Sequence, residues 1–169
     1  MSLIKDKKEI GVLREGGKRL AKILQEIIRE ARPGISTLKL DKLAEELIIL
    51  SGGIPSFKNY KIKETRVPYP CSLCTSVNDE VVHAIPLRKI ILKEGDIIGL
   101  DIGMLWPSKD GFYTDMAVTI GIGEISTEAK RLIQGTKEAL EAGIKAVKPG
   151  AKVGDIGFAV QTSLEKYGF

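Results

Sequence analysis

Histidine is almost absent from this sequence: one residue, His83, in 169. Cysteine occurs twice, at Cys71 and Cys74. Those three side chains are too few for a tetrahedral Cys/His zinc site, and two cysteines do not make the disulfide framework of a small secreted domain. Aromatic residues are 5% of the chain, with only four Phe and four Tyr available to stack nucleic-acid bases. No apolar run approaches the length of a membrane span, and the N-terminus lacks the apolar core of a signal peptide. With few cysteines and no export signal, the cytoplasm is the expected compartment. The net charge of +4 is modest, and the lysines are spread along the predicted helices, so nucleic-acid binding is not indicated.

What remains is ordinary globular material, 43% hydrophobic and 28% charged, long enough for one domain with a sizeable core. Residues from about Lys7 to Glu30 have helical periodicity, with Leu20, Leu24 and Ile27 on one face and Lys, Arg and Glu on the other. Gly16-Gly17 weakens this helix locally and Pro33-Gly34 stops it. Ser36 and Thr37 are suitable N-caps for a second helix that ends before Gly52-Gly53. Ser126 or Thr127 caps a third, with Leu132, Leu140, Ile144 and Val147 expected on its inward face and Pro149-Gly150 at its end. Val153, Ile156, Val160 and Leu164 are the expected inward positions of a fourth.

Asp96–Gly123, DIIGLDIGMLWPSKDGFYTDMAVTIGIG, places two β-branched and apolar runs on either side of a turn-like centre. It predicts a hairpin with one aspartate inside each strand, Asp101 and Asp115. Folding about Ser108 pairs positions whose numbers sum to 216, which sets the two carboxylates opposite each other, roughly 5 Å apart at Cβ. Like charges placed so repel, and burial adds a desolvation cost; a divalent cation between them reverses both effects. The alternative is a pair of satisfied polar groups near strand ends, and a bulge in the turn would send the side chains to opposite faces.

Between Ile54 and Pro70 the prolines and aromatics predict an irregular segment. CSLCTSVN and EVVHAIP then read as two short strands joined at Asn78-Asp79, with His83 on the second. A lone histidine is usually a hydrogen-bonded structural residue. Cys71 and Cys74 have redox-pair spacing, but the residues after them alternate like a strand, whereas a redox pair would open a helix.

The two helix pairs look alike. Ala31-Arg-Pro-Gly34 corresponds to Val147-Lys-Pro-Gly150 at an offset of 116, and the same offset puts Leu24 on Leu140, Ile28 on Ile144 and Gly52 on Gly168. Several matches at one offset favour an internal duplication. The strands of a second copy would begin just after Phe169, so the sequence reads as one and a half repeats.

Three stretches carry a family resemblance: YPCSLCTSVNDEVVHAIP, then LKEGDIIGLDIG, then DGFYTDMAVTIGIG, in this order and spacing. They resemble the type I methionine aminopeptidases, metallopeptidases of the M24-like, pita-bread group, and the likeness runs from the first helix to the fourth. It implies an α/β (α+β) pita-bread fold, two pseudo-symmetric αβ halves around two divalent metal ions (Co, Mn, Fe or Zn). On that pattern residues 1–169 are a single incomplete domain, with 1–123 the first αβ half and 124–169 the helix pair beginning the second, whose strands are missing. Asp101 matches a bidentate ligand of one metal and Asp115 the ligand bridging both. His83 matches a catalytic histidine that contacts substrate near the scissile amide, and Tyr69 and Cys74 match the lining of the methionine pocket. The implied activity is removal of the N-terminal Met from nascent polypeptides in the cytoplasm, with the ribosome as a further partner, and with no membrane or specific nucleic acid.

The chain departs from the family in places. The loop between the aspartates is a few residues longer, Ala84 and Thr114 stand where glycine is common, and the remaining ligands, one His and two Glu, have no counterpart. Two other functions therefore stand beside the enzyme: a non-catalytic pita-bread binding module, or a half-domain that assembles with a second half. Self-association through the uncovered half is expected of the chain as given, and appreciable aminopeptidase activity from it alone is not.

Overall fold

Asp6 opens the first helix through a capping box: its side chain accepts from the Glu9 N–H at 2.8 Å and Glu9 returns the bond to the Asp6 N–H at 2.8 Å. The helix, α1 (Lys7–Glu30), runs unbroken through Gly16-Gly17. The computed structural model describes residues 4–61, 67–86 and 89–169. Over these, α1 is followed by α2 (Thr37–Leu50), β1 (Ile54–Pro55), β2 (Leu73–Val77), β3 (Ile97–Trp106), β4 (Phe112–Gly121), α3 (Thr127–Ala146) and α4 (Val153–Glu165). The chain divides into two units, one running to Gly123 and one from Glu124 to Phe169.

In the first unit β3 is the centre of a four-stranded antiparallel sheet. β4 pairs along one side of it, while β2 and the two-residue β1 share the other. Side chains alternate between faces along a strand. Ile98, Leu100, Ile102 and Met104 point to one face and are fully buried against Leu20, Ile27, Leu40 and Ile48 of α1 and α2. At roughly 25 cal/mol per Å² of apolar surface removed from water, this helix-on-sheet layer is the main stabilising contact of the unit. The odd-numbered residues of β3 and β4 point to the other face, and both aspartates are among them.

The hairpin register differs from the expected one. Asp101 pairs with Ala117 and Asp115 with Gly103, so partners sum to 218 and not 216. The turn, Pro107–Gly111, centres on Lys109, because the Trp106 indole N–H donates to the Ser51 carbonyl (3.0 Å) and the Ser108 N–H to that of Gly52 (3.0 Å). A shift of two in the sum moves each strand end by one residue of a pair, so the aspartates become diagonal neighbours on the same face and no longer sit directly opposite. A second correction concerns 80–86: only Leu73–Val77 is a strand, and Val81–Pro86 is irregular, with His83 in the left-handed region at φ 56°. Positive φ at a non-glycine residue breaks a strand outright.

The duplication is visible in the helix ends. At the offset of 116, Glu30 falls on Ala146, the last residues of α1 and α3, and Thr37 falls on Val153, the first of α2 and α4. Gly34 (φ 88°) matches Gly150 (φ 86°), and Gly52 (φ 81°) matches Gly168 (φ 79°). Each is a left-handed stop that costs glycine little and other residues more.

In the second unit α3 and α4 approach through small residues. A Cβ at Gly143 would sit 3.0 Å from Val160, and one at Gly135 3.0 Å from the Tyr167 ring. Leu140, Ile144, Val147 and Val153, expected inward, are exposed, with Leu140 at 62%. The unit comprises two helices only, and their contact is lined by Gly135, Ala139 and Gly143, so the larger apolar stripe has no layer of its own to cover it.

Candidate active site

Five side chains singled out in the sequence lie on or beside the sheet face away from the helices. Cys74 of β2 pairs with Asp101 of β3, which puts the thiol and the carboxylate on the same face. The Tyr69 hydroxyl lies 3.1 Å from Cys74 Sγ and 3.3 Å from the Ala84 carbonyl oxygen, with its proton shared between them. The same carbonyl accepts from the Thr75 N–H at 3.1 Å. One acceptor therefore ties Tyr69, β2 and the loop that holds His83. His83 itself is exposed, and it lies near enough to Asp101 to lower the pKa of that carboxyl.

Asp101 is the electrostatic centre. Burial pushes its carboxyl above the ordinary value of 3.8, the Asp115 carboxylate raises it further, and His83 offsets part of the rise. Its Oδ1 is buried and has no hydrogen-bond partner among the described residues. A buried acceptor left empty costs about 1–3 kcal/mol, so the position wants a donor or a cation. Two carboxylates on one sheet face, one with an unpartnered oxygen and each repelling the other, are a setting that a hard divalent cation would relieve. Among the described residues no group of three His, Cys, Asp or Glu side chains comes together that could hold a metal ion.

Both thiols sit in a setting that disfavours the thiolate. Cys71 and Cys74 are both free and buried; burial pushes the Cys71 thiol up to about 11 and raises that of Cys74, which leaves little thiolate at neutral pH. The Tyr69 hydroxyl is also raised, by burial first and by its Cys74 bond second, so it stays protonated. Together they make a neutral, polarizable wall beside the carboxylates.

Two supports were not anticipated. Asp41 of α2 is 7% exposed, and its Oδ1 accepts the N–H groups of Ser72 (2.8 Å) and Leu73 (3.0 Å), which holds the entry to β2 and hence Cys74. An aspartate within a helical stripe carries no sequence mark of burial. The other is the segment at Ser56-Phe57, whose Ser56 N–H donates to the Gly103 carbonyl at 3.1 Å. A Cβ at Gly103 would run into Ser56 Oγ, into the Phe57 ring at 2.8 Å and against Asp115 Oδ2 at 3.1 Å. A glycine inside a strand is the available signal of that close approach.

This fold and site have relatives. The chain belongs to metallopeptidase family M24, whose model matches residues 11–169. It is 40% identical to a methionine aminopeptidase of Aquifex aeolicus over 162 residues, covering 96% of this chain and 62% of that protein. Methionine aminopeptidase 1 of Bacillus subtilis is also 40% identical, over 169 residues that cover all of this chain and 64% of the relative. Among solved structures, methionine aminopeptidase from Rickettsia prowazekii superposes with a TM-score of 0.89 at 37% identity, over 99% of this chain and 63% of that one. The likeness bears out the α/β pita-bread class expected from the motifs. A Xaa-Pro dipeptidase from Bacillus anthracis, at 20% identity and a TM-score of 0.78, shares the fold. The chain spans 62–64% of the length of the curated relatives it matches.

Proposed function

We propose that this chain carries the methionine-binding wall and two metal-binding carboxylates of a cytoplasmic methionine aminopeptidase. The observation that carries the reading is the single sheet face shared by Cys74, Asp101 and Asp115, with Asp101 Oδ1 buried and unpartnered. Asp101 and Asp115 would hold divalent metal ions, whose chemistry is to lower the pKa of a water and polarise the amide carbonyl. Tyr69 and Cys74 would receive the side chain of an N-terminal Met, their protonated groups accepting a neutral thioether without a buried charge. His83, exposed beside the carboxylates, would meet the peptide near the scissile amide. A non-catalytic binding module has no reason to keep a buried, unpartnered carboxylate, which favours the enzyme reading over that alternative.

The substrate class is the N-terminal Met of nascent polypeptides, and the ribosome is the further partner that such a substrate implies. With two carboxylates as the donors proposed among the described residues, metal binding by this chain should be weak compared with a closed site. Titration with Mn²⁺ followed by calorimetry tests the assignment. Asp115→Asn should lower the affinity at least tenfold, and His83→Ala should leave it unchanged. Equal affinity in wild type and Asp115→Asn would remove the shared metal site, and loss of metal in His83→Ala would make His83 a ligand.

A further inference from the structure

The outer face of α1 concentrates the positive charge that the sequence spreads along its helices. α1 has seven Lys or Arg against four Glu in its 24 residues. At about 100° per residue, Lys7, Arg14, Lys18, Lys22 and Arg29 fall within an arc of about 80°. All five are exposed, and the exposed positions between them in the arc, Gly11 and Gln25, carry no charge. From Lys7 to Arg29 the line extends about 33 Å. Arg29 pairs with Glu26 at 2.6 Å, while Lys7, Arg14, Lys18 and Lys22 have no carboxylate partner among the described residues.

A second observation is independent of charge. Gly16 has a packing reason, since a Cβ there would sit 3.3 Å from Thr114. Gly11 and Gly17 have none: a Cβ at either meets nothing within 4 Å. Each weakens the helix relative to Ala. Gly11, exposed within the row of cations, leaves helix backbone bare where another chain can lie close, while Gly17 lies about 60° outside it toward buried Leu24.

We propose that this face of α1 binds the phosphodiester backbone of a nucleic acid, without reading its bases. The shape favours a strand over a membrane. The stripe has no large apolar or aromatic side chain to enter a lipid interface, because the apolar face of α1 is buried in the core with Leu20, Leu24 and Ile27. Glu15 and Glu26 border the stripe on one side, about 60–80° away, where a flat anionic surface meets them and a strand following the cations does not. The absence of stacking aromatics on the stripe makes the binding electrostatic, so it should follow counterion release.

The test is fluorescence anisotropy of the 169-residue chain with labelled single strands of about 20 nucleotides, RNA and DNA of the same sequence, across a salt series. Five phosphate contacts predict a slope of log affinity against log salt of about −3.5, little changed by base sequence. Arg14→Gln, Lys18→Gln and Lys22→Gln together should lower the affinity at least tenfold at about 50 mM salt and reduce the slope to about −1.4. The single substitutions should each remove a part of it, which keeps the test decisive if the triple variant misfolds. Lys137→Gln, Lys145→Gln and Lys148→Gln, equally exposed in the second unit, should leave binding unchanged. No binding at about 50 mM salt, or equal loss from that second set, overturns the proposal. So does phosphatidylserine vesicles competing the chain away from RNA. Equal affinity for RNA and DNA identifies the backbone as the ligand, and a preference for RNA adds the 2′-hydroxyl to it.

Discussion

Asp41 shows how one buried side chain can set a site it does not enter. Its Oδ1 holds the N–H groups of Ser72 and Leu73, and so fixes where β2 begins and what faces Asp101. Burial raises the Asp41 carboxyl above its ordinary value, Glu45 adds to the rise, and the two N–H donors and Lys58 lower it, with the upward effects prevailing. A carboxyl that is protonated more readily in the folded state withdraws stability as pH rises from the unfolded value of 3.8 through the folded one, and is constant above that. Asp41→Asn keeps an oxygen acceptor without the charge. The expected outcome is a melting temperature at pH 7 above that of wild type, with this acid-range decline absent from a melting series in pH. Asp41→Leu removes the acceptor and strands both N–H groups, at a cost of about 2–4 kcal/mol in urea unfolding. Wild-type stability in the Leu variant would show that Asp41 holds nothing in place.

At the level of elements, the β3–β4 hairpin depends on Gly103 as much as on its aspartates. Gly103 pairs with Asp115 and lies beneath Ser56-Phe57, leaving no room for a methyl group. Gly103→Ala is therefore expected to destabilise the chain by about 1–3 kcal/mol and to weaken Mn²⁺ binding together, since the added carbon displaces Asp115. Gly17→Ala behaves oppositely: it adds a methyl group into open space at a half-buried helix position and should stabilise by about 0.5–1 kcal/mol. Measuring both by urea unfolding separates a glycine required by packing from one that packing does not explain. Stability unchanged in Gly103→Ala would mean that the Ser56 segment yields freely.

For the molecule as a whole, the two units differ in what their helices cover. In the first, α1 and α2 bury their apolar faces on the sheet; in the second, Leu140 and Phe158 stand 62% and 73% exposed. Exposed apolar residues in that number bind hydrophobic dyes and lower solubility. Leu140→Glu with Phe158→Lys should cut the fluorescence of bound anilinonaphthalene sulfonate severalfold and raise the concentration at which the chain precipitates. Unchanged dye binding would place the accessible apolar surface elsewhere.

Much of this architecture is local, which is why it was legible. Helix limits follow from Ser36 and Ser126 as caps and from Gly34, Gly52 and Gly150 as left-handed stops, each acting within a turn of its own position. The duplication is a sequence pattern, and the shared face of Asp101 and Asp115 survives because side-chain direction has a period of two. What tertiary structure decided is what depends on distant partners. The hairpin register moved because Trp106 and Ser108 bond to the end of α2, and His83 left the strand conformation at a positive φ that no periodicity encodes. Burial of Asp41 was set by the entry to β2 at Ser72, 31 residues away in sequence. The cations of α1 were countable in the sequence, but which face stays open to solvent is settled only when the opposite face meets the sheet.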